Sequence, residues 1–109
     1  MKNVLIFGAK GSIGSFIYNN FKEIHNVIGT TTNELSTNKD IIFVDKNNLH
    51  NLEKIENLDI IVWASGDNVN DNILNYSECS FNNIFDANVI FIMNTLNHLL
   101  THSKINKGA

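Results

Sequence analysis

The chain has 109 residues, a formal net charge of −3 and one cysteine. That length suits one domain able to bury a core without help from disulfides or metals, and the lone Cys79 excludes an intramolecular disulfide and a cysteine metal cluster. An acidic balance without a basic block argues against nucleic acid as a partner, and no apolar run approaches the ~20 residues that span a bilayer. Met1 and Lys2 lead straight into an apolar run and leave no room for a secretory leader, so a cytoplasmic protein with no membrane partner is expected.

Residues 2–7 read as the first strand. Its apolar run Val4-Leu5-Ile6-Phe7 ends directly in Gly8, Gly11 and Gly14, and an amphipathic stretch follows. Strand, tight turn and helix start, in that order, bring backbone N–H groups and the positive end of a helix dipole against a dinucleotide pyrophosphate. Gly8 would allow the turn, Gly11 would admit phosphates to the backbone, and Gly14 would let the helix pack closely on the strand. The G-x-x-G-x-x-G spacing departs from the G-x-G-x-x-G fingerprint, and it leaves open a glycine-rich turn without a ligand.

Ile13, Phe16, Ile17, Phe21 and Ile24 recur at helical spacing, which predicts a helix over residues 12–24 with one buried stripe. Tyr18 and Lys22 fall on its other face and are expected in solvent. Residues 27–31 and 41–44 read as the second and third strands, separated by a polar loop. Leu49, Leu52 and Ile55 mark a short helix. Residues 58–64 read as a fourth strand, as continuously apolar as a parallel strand buried on both faces.

Residues 66–75 form a polar loop, after which Ser77 is a plausible N-cap with Glu78 in the first turn. The long helix that follows carries the stripe Phe81, Ile84, Phe85, Val89, Ile92, Met93, Leu96, Leu99 and Leu100. Asn88 falls on that stripe, where a buried amide needs a partner or a water, although a structural Asn in an Asn-rich chain is the plainer reading. The histidines His25, His50, His98 and His102 show no spacing that suggests a shared metal site, and no metal is expected. Cys79 has no activating neighbour. The alternation predicts an α/β fold, a Rossmann-type doubly wound parallel sheet of about four strands. One domain spans residues 1–109 and reads as truncated before a fifth strand, which would leave the fourth strand at an open edge.

These motifs together resemble the N-terminal, cofactor-binding half of the short-chain dehydrogenase/reductases. Gly8-Ala9-Lys10-Gly11-Ser12-Ile13-Gly14 is similar to that family's phosphate-binding turn, with spacing nearer its extended and atypical branches and Phe7 where many members have Thr. Val44-Asp45 resembles the family's acidic position near the adenine ring. Ala64-Ser65-Gly66 is similar to its Asn-Asn-Ala-Gly element, with Trp63 and Ser65 as departures. Phe85-Asp86-Ala87-Asn88-Val89, followed by Leu96-Asn97-His98-Leu99-Leu100, looks like the long helix whose mid-helix Asn belongs to an Asn-Ser-Tyr-Lys catalytic set. The resemblance implies that Asn88 helps hold a water that relays protons to the catalytic Lys.

What the resemblance implies is the cofactor-binding part of an NAD(P)-dependent oxidoreductase acting on a carbonyl or alcohol. The catalytic Ser and Tyr-x-x-x-Lys of the family would lie beyond Ala109, so the chain alone is expected to be inactive. Alternatives are a non-catalytic nucleotide-binding or sensing module and an extended-branch epimerase fragment. The cofactor preference leans to NADP(H) over NAD(H). The second strand ends in Thr30, Thr31, Thr32 and Asn33 without a carboxylate, Glu34 being the nearest acid, and Lys10 could pair with a 2′-phosphate. A dinucleotide and a small-molecule substrate are the expected partners, with homo-oligomers in the full-length form. The substrate is not legible.

Overall fold

Val4, Leu5, Ile6 and Phe7 are all buried, because the strand they form lies inside the sheet with a neighbour on each side. The structure, a computed structural model, describes residues 1–33, 38–66 and 77–109. Glu34, Tyr76 and most of the loop expected over residues 66–75 lie outside the described residues.

The elements run β1 (Asn3–Phe7), α1 (Ser12–Phe21), β2 (Asn26–Thr31), β3 (Ile41–Phe43), a 3₁₀ helix (Leu49–Lys54), β4 (Ile60–Trp63), α2 (Glu78–Phe85), a π-helical stretch (Asp86–Ile90) and α3 (Phe91–Thr101). All strand pairs are parallel and the sheet order is β3-β2-β1-β4. Helical layers cover both faces. On one face α1 packs over Val4, Ile6, Ala9 and Ile41; on the other the 3₁₀ helix and α3 pack over Leu5, Phe7, Val44 and Leu58. The fold is therefore the doubly wound α/β arrangement that the alternation predicts.

β4 departs from the expectation of a strand buried on both faces. Each of its four residues is half-buried, because β1 is its one full neighbour. Beyond α3 the chain returns to that open side. The Leu58 N–H donates to the Lys104 carbonyl and the Asn106 N–H to the Leu58 carbonyl, each at 2.8 Å, so that Ile105 pairs in parallel with Leu58. Lys104 is buried there, and its ammonium donates to the Glu53 carbonyl and the Glu56 carboxylate.

The predicted helix stripes are both rotated. α1 buries Gly14 and Tyr18, with Ile17 and Phe21 half-buried, while Ile13 and Phe16 are each 71% exposed and Ile24 lies beyond the helix end. A Cβ on Gly14 would sit 1.9 Å from the Gly8 carbonyl oxygen, and this approach turns the Gly14 face to the sheet. Tyr18 is thus a core residue, not a solvent-exposed one, with the Lys22 ammonium 5.4 Å from its ring centroid. The helix stops at Phe21 so that the Asn26 N–H can reach the Lys2 carbonyl and start β2.

Ser77 does cap α2, its side chain accepting from the Ser80 N–H at 3.1 Å. The π-helical stretch then inserts an extra residue into the turn and shifts the inward face. Thr95 joins Leu99 of the expected stripe in the core, and Ile84, Ile92 and Leu96 are half-buried as expected, while Phe81, Phe85, Val89, Met93 and Leu100 point outward.

Gly14 and Gly11 should therefore respond differently to a methyl group. Gly14→Ala must displace α1 from the β1 turn and is expected to cost about 1–3 kcal/mol, several degrees in Tm. At Gly11 the nearest atom to a Cβ is 3.5 Å away and φ is −75°, so Gly11→Ala should leave Tm nearly unchanged. Thermal unfolding of the two variants checks this; equal losses would contradict it.

Candidate functional site

Gly8 has φ +81°, a left-handed conformation that disfavours any side chain, and a Cβ there would also strike the backbone of Ser65. The turn is tied to β2, because the N–H groups of Gly8 and Ala9 both donate to the Thr30 carbonyl, at 3.2 and 3.0 Å. Gly11 then starts α1 in extended conformation without a side-chain cap. Helix geometry leaves the N–H groups of Ser12, Ile13 and Gly14 without intrahelical acceptors at that end.

A cavity of about 660 Å³ opens in front of this turn, at the C-terminal ends of the strands. It brings together eight of the residues singled out from sequence: Gly8, Lys10 and Gly11 from the turn, Thr31, Asp45, and Ala64, Ser65 and Gly66 after β4. Ser12, Ile13 and Gly14 stand behind it in the first turn of α1. Thr30 is also behind the cavity, with its side chain buried and its carbonyl spent on the loop. Asn88 does not line the cavity but stands beside it. Its amide nitrogen donates to the Ile84 carbonyl at 2.9 Å, and its oxygen would be 2.3 Å from a Cβ on Gly66.

Local chemistry fixes several of these groups. Asp45 accepts from the Asn47 N–H at 2.9 Å and from the Asn48 side chain at 2.8 Å, which locks the turn after β3. The Ser65 hydroxyl is buried and has no hydrogen-bond partner among the described residues. Such an atom, beside a turn open to a ligand at Gly11, fits a polar group entering the cavity. Below the cavity, the Phe7 and Trp63 rings stack with centroids 5.4 Å apart, and Phe91 meets Phe7 edge-on at 5.7 Å. The Trp63 indole donates to the Thr95 hydroxyl at 2.9 Å and so ties α3 to β4.

Thr32, noted at the end of the second strand, also lines the cavity, as do Lys46, Asn47, Asn83, Asp86, Ala87 and Phe91, which the sequence reading does not assign to the site. Lys46 and Asn47 directly follow Asp45, and Asn83, Ala87 and Phe91 recur every fourth residue; that spacing is the available signal. Lys10, Lys46, Asp45 and Asp86 all line the cavity, so the described lining balances two cations against two carboxylates. Tyr18 lies on the buried face of α1, and desolvation followed by the Asp40 charge raises its pKa. That is opposite to the depression a proton-donating tyrosine needs.

The histidine expectation is corrected in part. His98 and His102 stack with ring centroids 4.2 Å apart, and they share a cluster with Glu53 away from the cavity. No helix among the described residues is long and apolar enough to cross a membrane.

No protein-family model and no curated protein matches the chain. Solved structures do match. A short-chain dehydrogenase family protein from Francisella tularensis aligns with 100% of the chain and 48% of its own length, at 18% identity and a TM-score of 0.80. The protein lin1944 from Listeria innocua aligns with 97% of the chain and 52% of itself, at 16% identity and a TM-score of 0.79. ElxO with NADP bound aligns with 96% of the chain and 54% of itself, at 24% identity and a TM-score of 0.67. The chain has the fold of these structures, one of them a short-chain dehydrogenase family protein, and spans about half their length.

Proposed function

We propose that the 109 residues form a dinucleotide-binding domain, the cofactor-binding part of an NAD(P)-dependent short-chain oxidoreductase acting on a carbonyl or alcohol. The observation that carries this reading is the β1 turn. Gly8 is left-handed, Gly14 is pressed on Gly8, and Gly11 alone is open toward the cavity, so the one glycine the protein does not require is the one a phosphate would. The pyrophosphate sits at the start of α1, against the N–H groups of Ser12 and Ile13, the Gly11 N–H being held by the Gly8 carbonyl at 3.1 Å. Asp45 faces the adenine, Thr31 the adenosine ribose, and the Ala64-Ser65-Gly66 turn the nicotinamide-side ribose. A bound nicotinamide supplies hydride chemistry. Asn88, in a π-helical stretch of the kind found at functional sites, orients a water beside Gly66.

Gly11→Val is expected to weaken NADPH binding at least tenfold, roughly 1.4 kcal/mol, while the fold survives. Calorimetry on the variant and the wild type checks this, and equal affinity would refute the site.

NADP(H) is preferred over NAD(H) in this reading. The last residue of β2, Thr31, carries a hydroxyl in the cavity instead of a carboxylate, Lys10 lies on the same wall, and ElxO, a structural neighbour, is seen with NADP. The Lys10 ammonium pairs with the 2′-phosphate. Titration should give tighter NADPH than NADH binding, and Lys10→Ala should reduce NADPH affinity on the order of tenfold with little change for NADH. Tighter NADH binding would reverse the assignment.

The outward stripe of α2 and α3 supports self-association. Phe81, Phe85, Val89, Met93 and Leu100 are 38% to 61% exposed, an apolar face in need of a cover. Light scattering should find a species heavier than the monomer, and Met93→Glu should shift it toward the monomer. A monodisperse wild-type monomer would exclude the association.

A further inference from the structure

Three potential metal ligands meet at the end of the sheet away from the glycine turn. Glu53, His98 and His102 each offer one ligand atom, and these atoms all lie within 4.8 Å of one another. Glu53 comes from the 3₁₀ helix, His98 from the last turn of α3, and His102 from the residue that ends it. Four residues apart on a helix, the two imidazoles share a face, and their rings stack at 28° between planes.

The Nε2 atom of His98 is buried and has no hydrogen-bond partner among the described residues. Buried ring nitrogens are normally satisfied, so this lone pair or N–H points to a missing partner. Desolvation by burial, and then the His102 charge, lower the His98 pKa; Glu53 acts in the opposite sense and Lys104 in the same one. That direction favours the neutral imidazole, the form that ligates metals. The Lys104 ammonium is taken by the Glu53 carbonyl and the Glu56 carboxylate, not by the Glu53 carboxylate.

We propose that Glu53, His98 and His102 bind one divalent transition-metal ion of the zinc class, which clamps the end of α3 to the 3₁₀ helix. Two imidazoles and one carboxylate are borderline ligands suited to that ion, and a water completes the tetrahedron. Metal–ligand bonds of ~2.0–2.1 Å place tetrahedral donors about 3.4 Å apart, so the cluster must close slightly. Glu53 and His102 are exposed and can rotate to do so. The role is structural. Lys104, just past α3, pairs with Leu58 before β4 begins, whereas the cavity lies where the strands end.

The test is calorimetric titration of Zn²⁺ into the chelator-stripped chain at pH 7.5, with thermal unfolding alongside. The expected result is one ion per chain and a raised Tm. Glu53→Gln and His102→Gln, both at exposed positions, should each reduce the affinity roughly tenfold or more, while His50→Gln, outside the cluster, should not. Absence of Zn²⁺ binding to the wild type overturns the proposal. So does an affinity that Glu53→Gln and His102→Gln both leave within about twofold of wild type.

Discussion

The four-stranded sheet and its helices are referenced to one contact, the approach of Gly14 in α1 to the carbonyl of Gly8. With a Cβ separation that would be only 1.9 Å, no other residue type fits, and α1 can meet β1 in one rotation only. That rotation puts Tyr18 against the sheet and sets Gly11 on the rim of the cavity. A helix anchored at its first turn by bare backbone also holds its N-terminal N–H groups in fixed positions, which is what a polar ligand in the cavity requires.

The second anchor is aromatic. Phe7 at the end of β1 touches Trp63 at the end of β4 and Phe91 at the start of α3, so the three elements meet in one cluster directly beneath the cavity. The Trp63–Thr95 hydrogen bond gives the indole N–H its partner, and the Thr95 hydroxyl in turn donates to the Phe91 carbonyl at 2.9 Å. Trp63, a departure from the Asn-Asn-Ala-Gly pattern, is therefore a floor for the cavity. The departure seen in the sequence has a packing cause.

The order of elements, the parallel sheet and the glycine turn were all legible in the sequence, since they rest on local apolar runs and on residues with unusual backbone freedom. So was the Ser77 cap. The helix faces were not. Periodicity ranks Ile13 and Phe16 as core because they are apolar, but Gly14, which has no hydropathic weight, decides the rotation. Along the long helix, the π-helical stretch breaks the assumed 3.6-residue repeat, so a stripe drawn through Phe81 and Met93 slides off the inward face. The cavity wall formed by Asn83, Ala87 and Phe91 was hidden by the same shift. The histidine spacing alone suggests no shared site, because the third companion of His98 and His102, Glu53, is contributed by a different element, and only the packing of α3 on the 3₁₀ helix joins them.

The sheet order β3-β2-β1-β4 places the first strand synthesised between two partners made later. β1 can pair with β2 once α1 has formed, but Val4 must wait for Ile60 before its other side is satisfied. Closing so long a stretch of chain opposes folding entropically before any contact rewards it. Until then the most deeply buried strand among the described residues presents one bare backbone edge to whatever else is nascent. The architecture that builds a rigid site at one end of the sheet thus makes the emerging chain dependent on speed of completion, or on a chaperone, to stay out of intermolecular strand pairing.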